Sequence, residues 1–215
     1  MLTSFDFLMK ALPLLLYVLL ALAATSCKSA EKAIFRLSGT PISSRLPPLE
    51  VSTDIGPWAH SEGALPEDAR LVFQRELQQN ITAIADSAQF GYAKLTITSA
   101  NLKRTGKGFQ IIQLATLLLP TLLGLPMEYY CGQLEAEVQI LNAKGEVIGT
   151  YQGTGASRVR VAMYHGYDQT SAPRMADVAA LKEALSQIRP QLEHDASRLR
   201  DQLLTAGPMA ASLEQ

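Results

Sequence analysis

From Gln133 to Ile140 polar and apolar residues alternate without a break, in a strand candidate that runs to Leu141. Leu134, Ala136, Val138 and Ile140 share one side, and Gln133, Glu135, Glu137 and Gln139 share the other. Successive strand side chains point to opposite faces, so this pattern describes a sheet with one buried face and one wet face. Such a sheet must be covered on its apolar side. Asn142-Ala143-Lys144-Gly145 supplies turn chemistry, and Glu146–Gln152 returns as the hairpin partner. Gly153-Thr154-Gly155 then reads as a bulge or bend, and Ser157–Tyr164 as resumed strand, with Val159, Val161 and Met163 opposite Arg158 and Arg160.

The cover comes from two helical patterns. Pro66 opens the first, with Glu67 and Asp68 in its first turn. Ala69, Phe73, Leu77, Ile81, Ile84 and Ala88 recur at spacings of four and three, which predicts a helix to about Ser87. The second begins near Ser171 and Pro173, where Val178, Leu181, Leu185, Ile188, Leu192, Leu199 and Leu203 recur at helical spacing. Pro190 lies inside it, which predicts a kink or two helices in sequence. Tyr92–Leu102 alternates as a strand, Leu49–Thr53 is a short strand candidate, and Ala33–Leu37 could pair at an edge. The order predicts an α+β fold: a small antiparallel sheet with helices packed on one face, an apolar helical insertion, and a long kinked C-terminal helix.

The N-terminus carries an address. Met1–Lys10 holds one lysine, Ala11–Ala24 (ALPLLLYVLLALAA) is uninterrupted apolar sequence, and Thr25-Ser26-Cys27 follows. A basic head, an apolar stretch and a small-residue cleavage site make a secretory signal. Ending on cysteine, this one resembles the lipobox of bacterial lipoproteins, although Ala24 stands where leucine is usual. That resemblance implies cleavage after residue 26 and a diacylglyceryl group on the Cys27 sulfur. An uncleaved anchor helix, or ordinary cleavage nearby, remains the alternative, but the run is short for a span of about 20 residues. Residues 27–48 then read as lipidated N-terminus and tether, 49–205 as one domain, and 206–215 as a flexible tail. Lys28 is not the aspartate of the best-known inner-membrane retention rule, so the outer membrane, facing the periplasm, is the default.

Phe109–Met127 (FQIIQLATLLLPTLLGLPM) is a nearly uncharged stretch within the domain. Lys103, Arg104 and Lys107 precede it, and Tyr129 and Tyr130 follow. Such flanks suit a membrane-contacting segment. We expect Phe109, Ile111, Ile112, Leu117, Leu118, Leu122 and Leu123, with those flanks, to contact membrane or a partner. Pro120, Gly124 and Pro126 argue for interfacial dipping rather than a span. A buried helical hairpin covering the sheet fits equally well.

No catalytic, metal or cofactor constellation stands out. A net charge of −1 leaves no footprint for nucleic acid. His60, His165 and His194 lack metal-ligand spacing. Gly149 and Gly153-Thr154-Gly155 lie in strand–strand context, not the strand–helix context of a phosphate loop. With Cys27 acylated, Cys131 is alone, and we expect it to be a small buried hydrophobe. Trp58 reads as a packing anchor, His194-Asp195 as a solvated face, and Tyr164–Asp168 as a turn with packed tyrosines. We therefore expect a non-enzyme.

Leu134–Ile140, Tyr151-Gln152-Gly153-Thr154-Gly155, Gly166-Tyr167 and Ala176–Leu204 together resemble a group of small envelope lipoproteins of unknown role. More distantly, the order is similar to the periplasmic domains of the curli-secretion lipoprotein and of the N-terminal part of TolB. The resemblance implies a fold and a compartment, with no catalytic residues. The leading expectation is a lipid-anchored binding or assembly module with an envelope partner or a second copy. The alternative is a self-oligomerising channel using residues 109–127.

Overall fold

A computed structural model describes residues 34, 36–37, 39–63, 65–83, 88–106, 108, 116, 125–162 and 166–209. Four strands form one sheet in chain order: β1 (Glu50–Asp54), β2 (Gly91–Thr105), β3 (Glu128–Asn142) and β4 (Val147–Val161). β2, β3 and β4 are antiparallel neighbours, but β1 lies parallel to β2, so the sheet is mixed. Two helices, α1 (Pro66–Glu76) and α2 (Ser171–Ala206), complete the α+β architecture that the alternation demanded. α2 crosses the inner face of β2, β3 and β4, and α1 packs beside it against β1.

The inner face is apolar as expected: Leu134, Ala136, Val138 and Ile140 are all buried. What seats α2 on it is a track of missing side chains. A Cβ on Gly155 would lie 1.8 Å from the Ala180 carbonyl oxygen, and one on Gly153 would lie 2.3 Å from that of Ala184. At Gly132 the distance to the Ala176 oxygen would be 2.9 Å. Ala176, Ala180 and Ala184 stand one helical turn apart and are buried, so backbone meets backbone here. Gly153 and Gly155 therefore do not bend the chain. They pair in regular register with Ala136 and Leu134 inside one continuous strand. Our bulge expectation mistook a close approach for a break.

α2 also blunts the free edge of β4. The Gln187 Oε1 accepts from the Thr154 N–H at 3.2 Å, Gln191 donates to the Gln152 carbonyl at 2.8 Å, and Arg198 donates to that of Ile148 at 2.9 Å. Covering an edge in this way removes a template for unwanted strand pairing. Pro190 does not divide the helix, which is assigned without interruption from Ser171 to Ala206. α1 widens into a π-helical turn at Leu77–Ile81 and stops at Thr82, which turns extended and bridges to Leu46. Ala88 is exposed and outside any helix, so the periodicity ran past the real end.

Other expectations are corrected in the same way. Of Ala33–Leu37, the described residues (34, 36 and 37) are in no strand. Of residues 27–48, Ile34, Ile42 and Leu46 are buried in the core, beside Leu49. Proline and glycine spacing resembled a tether, but three apolar side chains fold this stretch onto α1 and α2. Trp58 is buried with its Nε1 donating to the Leu65 carbonyl at 3.4 Å, the packing role expected. The hairpin turn is closed by the Asn142 side chain, which accepts from the Lys144 and Glu146 N–H groups, with Gly145 at φ +81°.

Two predictions follow from these contacts. Gly155→Ala should destabilise by about 3 kcal/mol in urea unfolding, the upper range of overpacking. Ala180→Gly should not rescue it, because the obstruction is a backbone oxygen. The second concerns Asp168, whose carboxylate accepts from the hydroxyls and N–H groups of Thr170 and Ser171 at the start of α2. Those bonds lower its pKa to about 2. The ionised form is favoured by folding, so its contribution is complete above the ordinary carboxylate range and fades as pH falls through about 2. Asp168→Ala should cost about 1 kcal/mol at pH 7, and the difference should shrink towards pH 2.

Candidate docking surface on the open sheet face

Among the described residues no helix packs on the sheet's outer face. Its residues follow from the register, which includes one discontinuity. Ile97 pairs with Ala136 but Ser99 pairs with Glu135, so Thr98 is an extra residue in β2. Past this bulge the phase of β2 reverses. Ser99, Asn101, Lys103 and Thr105 face outward, while Ala100, Leu102 and Arg104 face inward, opposite Leu134, Gly132 and Tyr130. If Thr98 paired as an ordinary ladder residue instead of bulging, Lys103 would point into the body.

The bulge divides the flanks of the apolar stretch. Arg104 turns inward and forms an ion pair with Glu128, whose side chain is 1 % exposed against 34 % for Arg104. Donating to the Glu128 carboxylate raises the Arg104 pKa, and burial raises that of Tyr130, itself 5 % exposed. Both of these expected contact residues also make contacts within the fold. Lys103 and Tyr129 take the outer face. Cys27, Lys107, Phe109, Ile111, Ile112, Leu117, Leu118, Leu122 and Leu123 lie outside the described residues.

The last two rungs of the outer face read Lys103–Cys131–Arg158 and Thr105–Tyr129–Arg160 across β2, β3 and β4. The Arg158 guanidinium stacks over the Tyr129 ring at 4.1 Å. Arg158 and Arg160 are exposed, and neither was singled out from the sequence. Their alternation with Val159 and Val161 placed them on a wet face, but nothing local to them showed Lys103 across the sheet. Cys131 is half-buried on this same face, with Thr105 Oγ1 3.9 Å from its sulfur, rather than in the core. Farther along, two shallow grooves of about 410 and 550 Å³ are lined by Thr98, Glu135, Glu137, Gln152 and Gln187, and by Asn101, Gln133 and Glu183. Glu137 accepts from Gln139 at 2.8 Å and from Gln152 at 2.9 Å.

The remaining charged groups hold helices together. Arg174 pairs bidentately with Asp68 at 2.7 Å, and Arg189 with Glu76 at 2.6 Å, both acids being buried on α1. Ser61 donates to Asp177, whose carboxyl is pushed up by burial. Tyr151 donates to Asp195 at 3.0 Å, and desolvation followed by that bond raises its pKa to about 12. Asp195 also pairs with Arg198, so this stretch of α2 is tied to β4 rather than simply solvated. Tyr167 is half-buried and bridges to Val161, while Tyr164 and His165 lie outside the described residues. Among the described residues, no three His, Cys, Asp or Glu side chains stand close enough together to hold a metal ion.

With this geometry in view, comparisons with known proteins add little. No family model matches the chain, and no curated protein matches it. The likeness to the curli-secretion lipoprotein and TolB therefore stays a reading of the sequence. Among solved structures, a candidate lipoprotein of Caulobacter crescentus CB15 aligns at 16% identity over 62% of this chain and 76% of its own. The TM-score is 0.26, too loose a superposition to carry an argument.

The two faces separate by mutation. Arg104→Ala should destabilise the protein by about 2 kcal/mol, the penalty of a stranded buried acid reduced by the arginine's partial exposure. Lys103→Ala should change stability by less than about 0.5 kcal/mol. Chemical denaturation of both variants checks this, and equal losses would contradict the assignment of faces.

Proposed function

We propose that the protein is a lipid-anchored component of the bacterial envelope that acts as a binding or assembly module. In this reading Cys27 carries the acyl group, the body faces the periplasm, and the outer membrane is the more natural site. The open face and residues 109–127 contact the membrane or a partner. The observation that carries the reading is the lipobox-like Thr25-Ser26-Cys27 after an apolar run, only seven residues before buried Ile34. Seven residues extend at most about 25 Å, so an acyl group on Cys27 would hold the body close to its membrane. Among the described residues no helix is long and apolar enough to cross a membrane.

Two experiments test this. Labelled palmitate should enter the protein and should fail to enter Cys27→Ala. In-cell crosslinking, followed by isolation from detergent-solubilised membranes and mass spectrometry, should recover a recurring envelope partner. A ladder of self-crosslinks with no partner would shift the reading to the oligomeric channel, and absence of label would remove the anchor.

A further inference from the structure

We infer that the end of the open sheet face bearing Lys103, Arg158 and Arg160 docks against an anionic lipid surface, with these three cations at headgroup level. The inference rests on the lipid-anchored reading and adds an orientation and a ligand chemistry to it.

Charge selects the occupant. Neighbouring strands lie about 4.8 Å apart, so the two terminal rungs gather three cations within roughly 10 Å. Those rungs contain no acid, nor does the next, Asn101–Gln133–Ala156. The nearest carboxylate on this face is Glu135, four residues from Cys131 along β3 and roughly 13 Å away. That separation exceeds the Debye length of about 8 Å at physiological salt. On the inner side of this end Glu128 is paired with Arg104, and Glu62 also lies near enough to act on Arg104 and Tyr130. At the opposite end of the sheet the hairpin mixes Lys144 with Glu146 and offers no comparable field. Tyr129, stacked under Arg158, adds an aromatic ring of the kind that favours the interface.

Chain geometry agrees. β2 ends at Thr105 and β3 begins at Glu128, so the two strands that flank the apolar residues 109–127 in sequence both have that end at the basic rungs. The anchor can reach the same plane. Lys182 donates to the Arg36 carbonyl at 3.0 Å, which places the first core residues at the level where α2 crosses Gly155 and Leu134. From Leu134 to Glu128 is six residues, roughly 20 Å, within the reach of about 25 Å between Ile34 and Cys27.

The test uses the full-length acylated protein in vesicles of phosphatidylglycerol or of phosphatidylcholine, in a Cys131→Ser background. Nitroxides at Thr105→Cys and at Lys144→Cys report relaxation by a nickel chelate carried on the lipid headgroup. On anionic vesicles the Thr105 site should relax several-fold faster than the Lys144 site. Each cation near an anionic leaflet contributes about fivefold to the partition. The triple variant Lys103→Gln, Arg158→Gln, Arg160→Gln should therefore abolish the difference, as should neutral vesicles. Circular dichroism of the triple variant should match the parent, since all three side chains are exposed. Equal relaxation at both sites, or a difference indifferent to lipid charge and to the triple substitution, overturns the inference while the protein stays bound. Protein that washes off the vesicles altogether overturns the anchored reading, and this inference with it.

Discussion

Backbone-to-backbone contact between α2 and the sheet is the constraint on which the rest of this structure depends. Gly132, Gly153 and Gly155 leave no side chain between β3, β4 and the carbonyls of Ala176, Ala180 and Ala184. A helix seated this low brings Gln187, Gln191 and Arg198 within hydrogen-bond reach of the β4 edge. It also carries Arg174 and Arg189 to the buried acids of α1, so one contact organises both the edge and the second helix. Buried ion pairs add little net stability, but losing one partner is expensive. They fix where α1 lies more than how firmly.

With one face of the sheet closed by α2, the other becomes the surface available to partners. The Thr98 bulge decides what that surface displays, because it exchanges the inward and outward sets of β2 beyond Ile97. Lys103 is delivered outward to join Arg158 and Arg160, and Arg104 is delivered inward to Glu128. The bulge thus separates a cation paired with Glu128 from one on the outer face. The functional reading inherits that division.

Much of the scaffold was legible in the sequence. The alternation of Leu134–Ile140 gave the two-faced strand, Asn142–Gly145 the hairpin, and the heptad-like leucines of α2 its length. Three features were not legible, each for a physical reason. Glycine serves both bends and close approaches, so Gly153-Thr154-Gly155 was read as a break when its partner, Ala180, is distant in sequence. A bulge has no residue signature at Thr98, and the face of every later β2 residue depends on it. Ion pairs such as Asp68–Arg174 and Glu76–Arg189 join positions more than a hundred residues apart, so Asp68 read only as a first-turn acid and Glu76 was not singled out. The exposed cations of the candidate surface became a cluster only when three strands were laid side by side.

The account requires α2 and the sheet to behave as one body, because a detachable α2 would expose the inner face and make that, rather than the outer face, the natural partner surface. Native-state hydrogen exchange tests this most directly. Amides of α2 between Ala176 and Leu192 and those of β3 and β4 should open with the same free energy, equal to that of global unfolding. Exchange of α2 at a distinctly lower free energy than the strands beneath it would contradict the account.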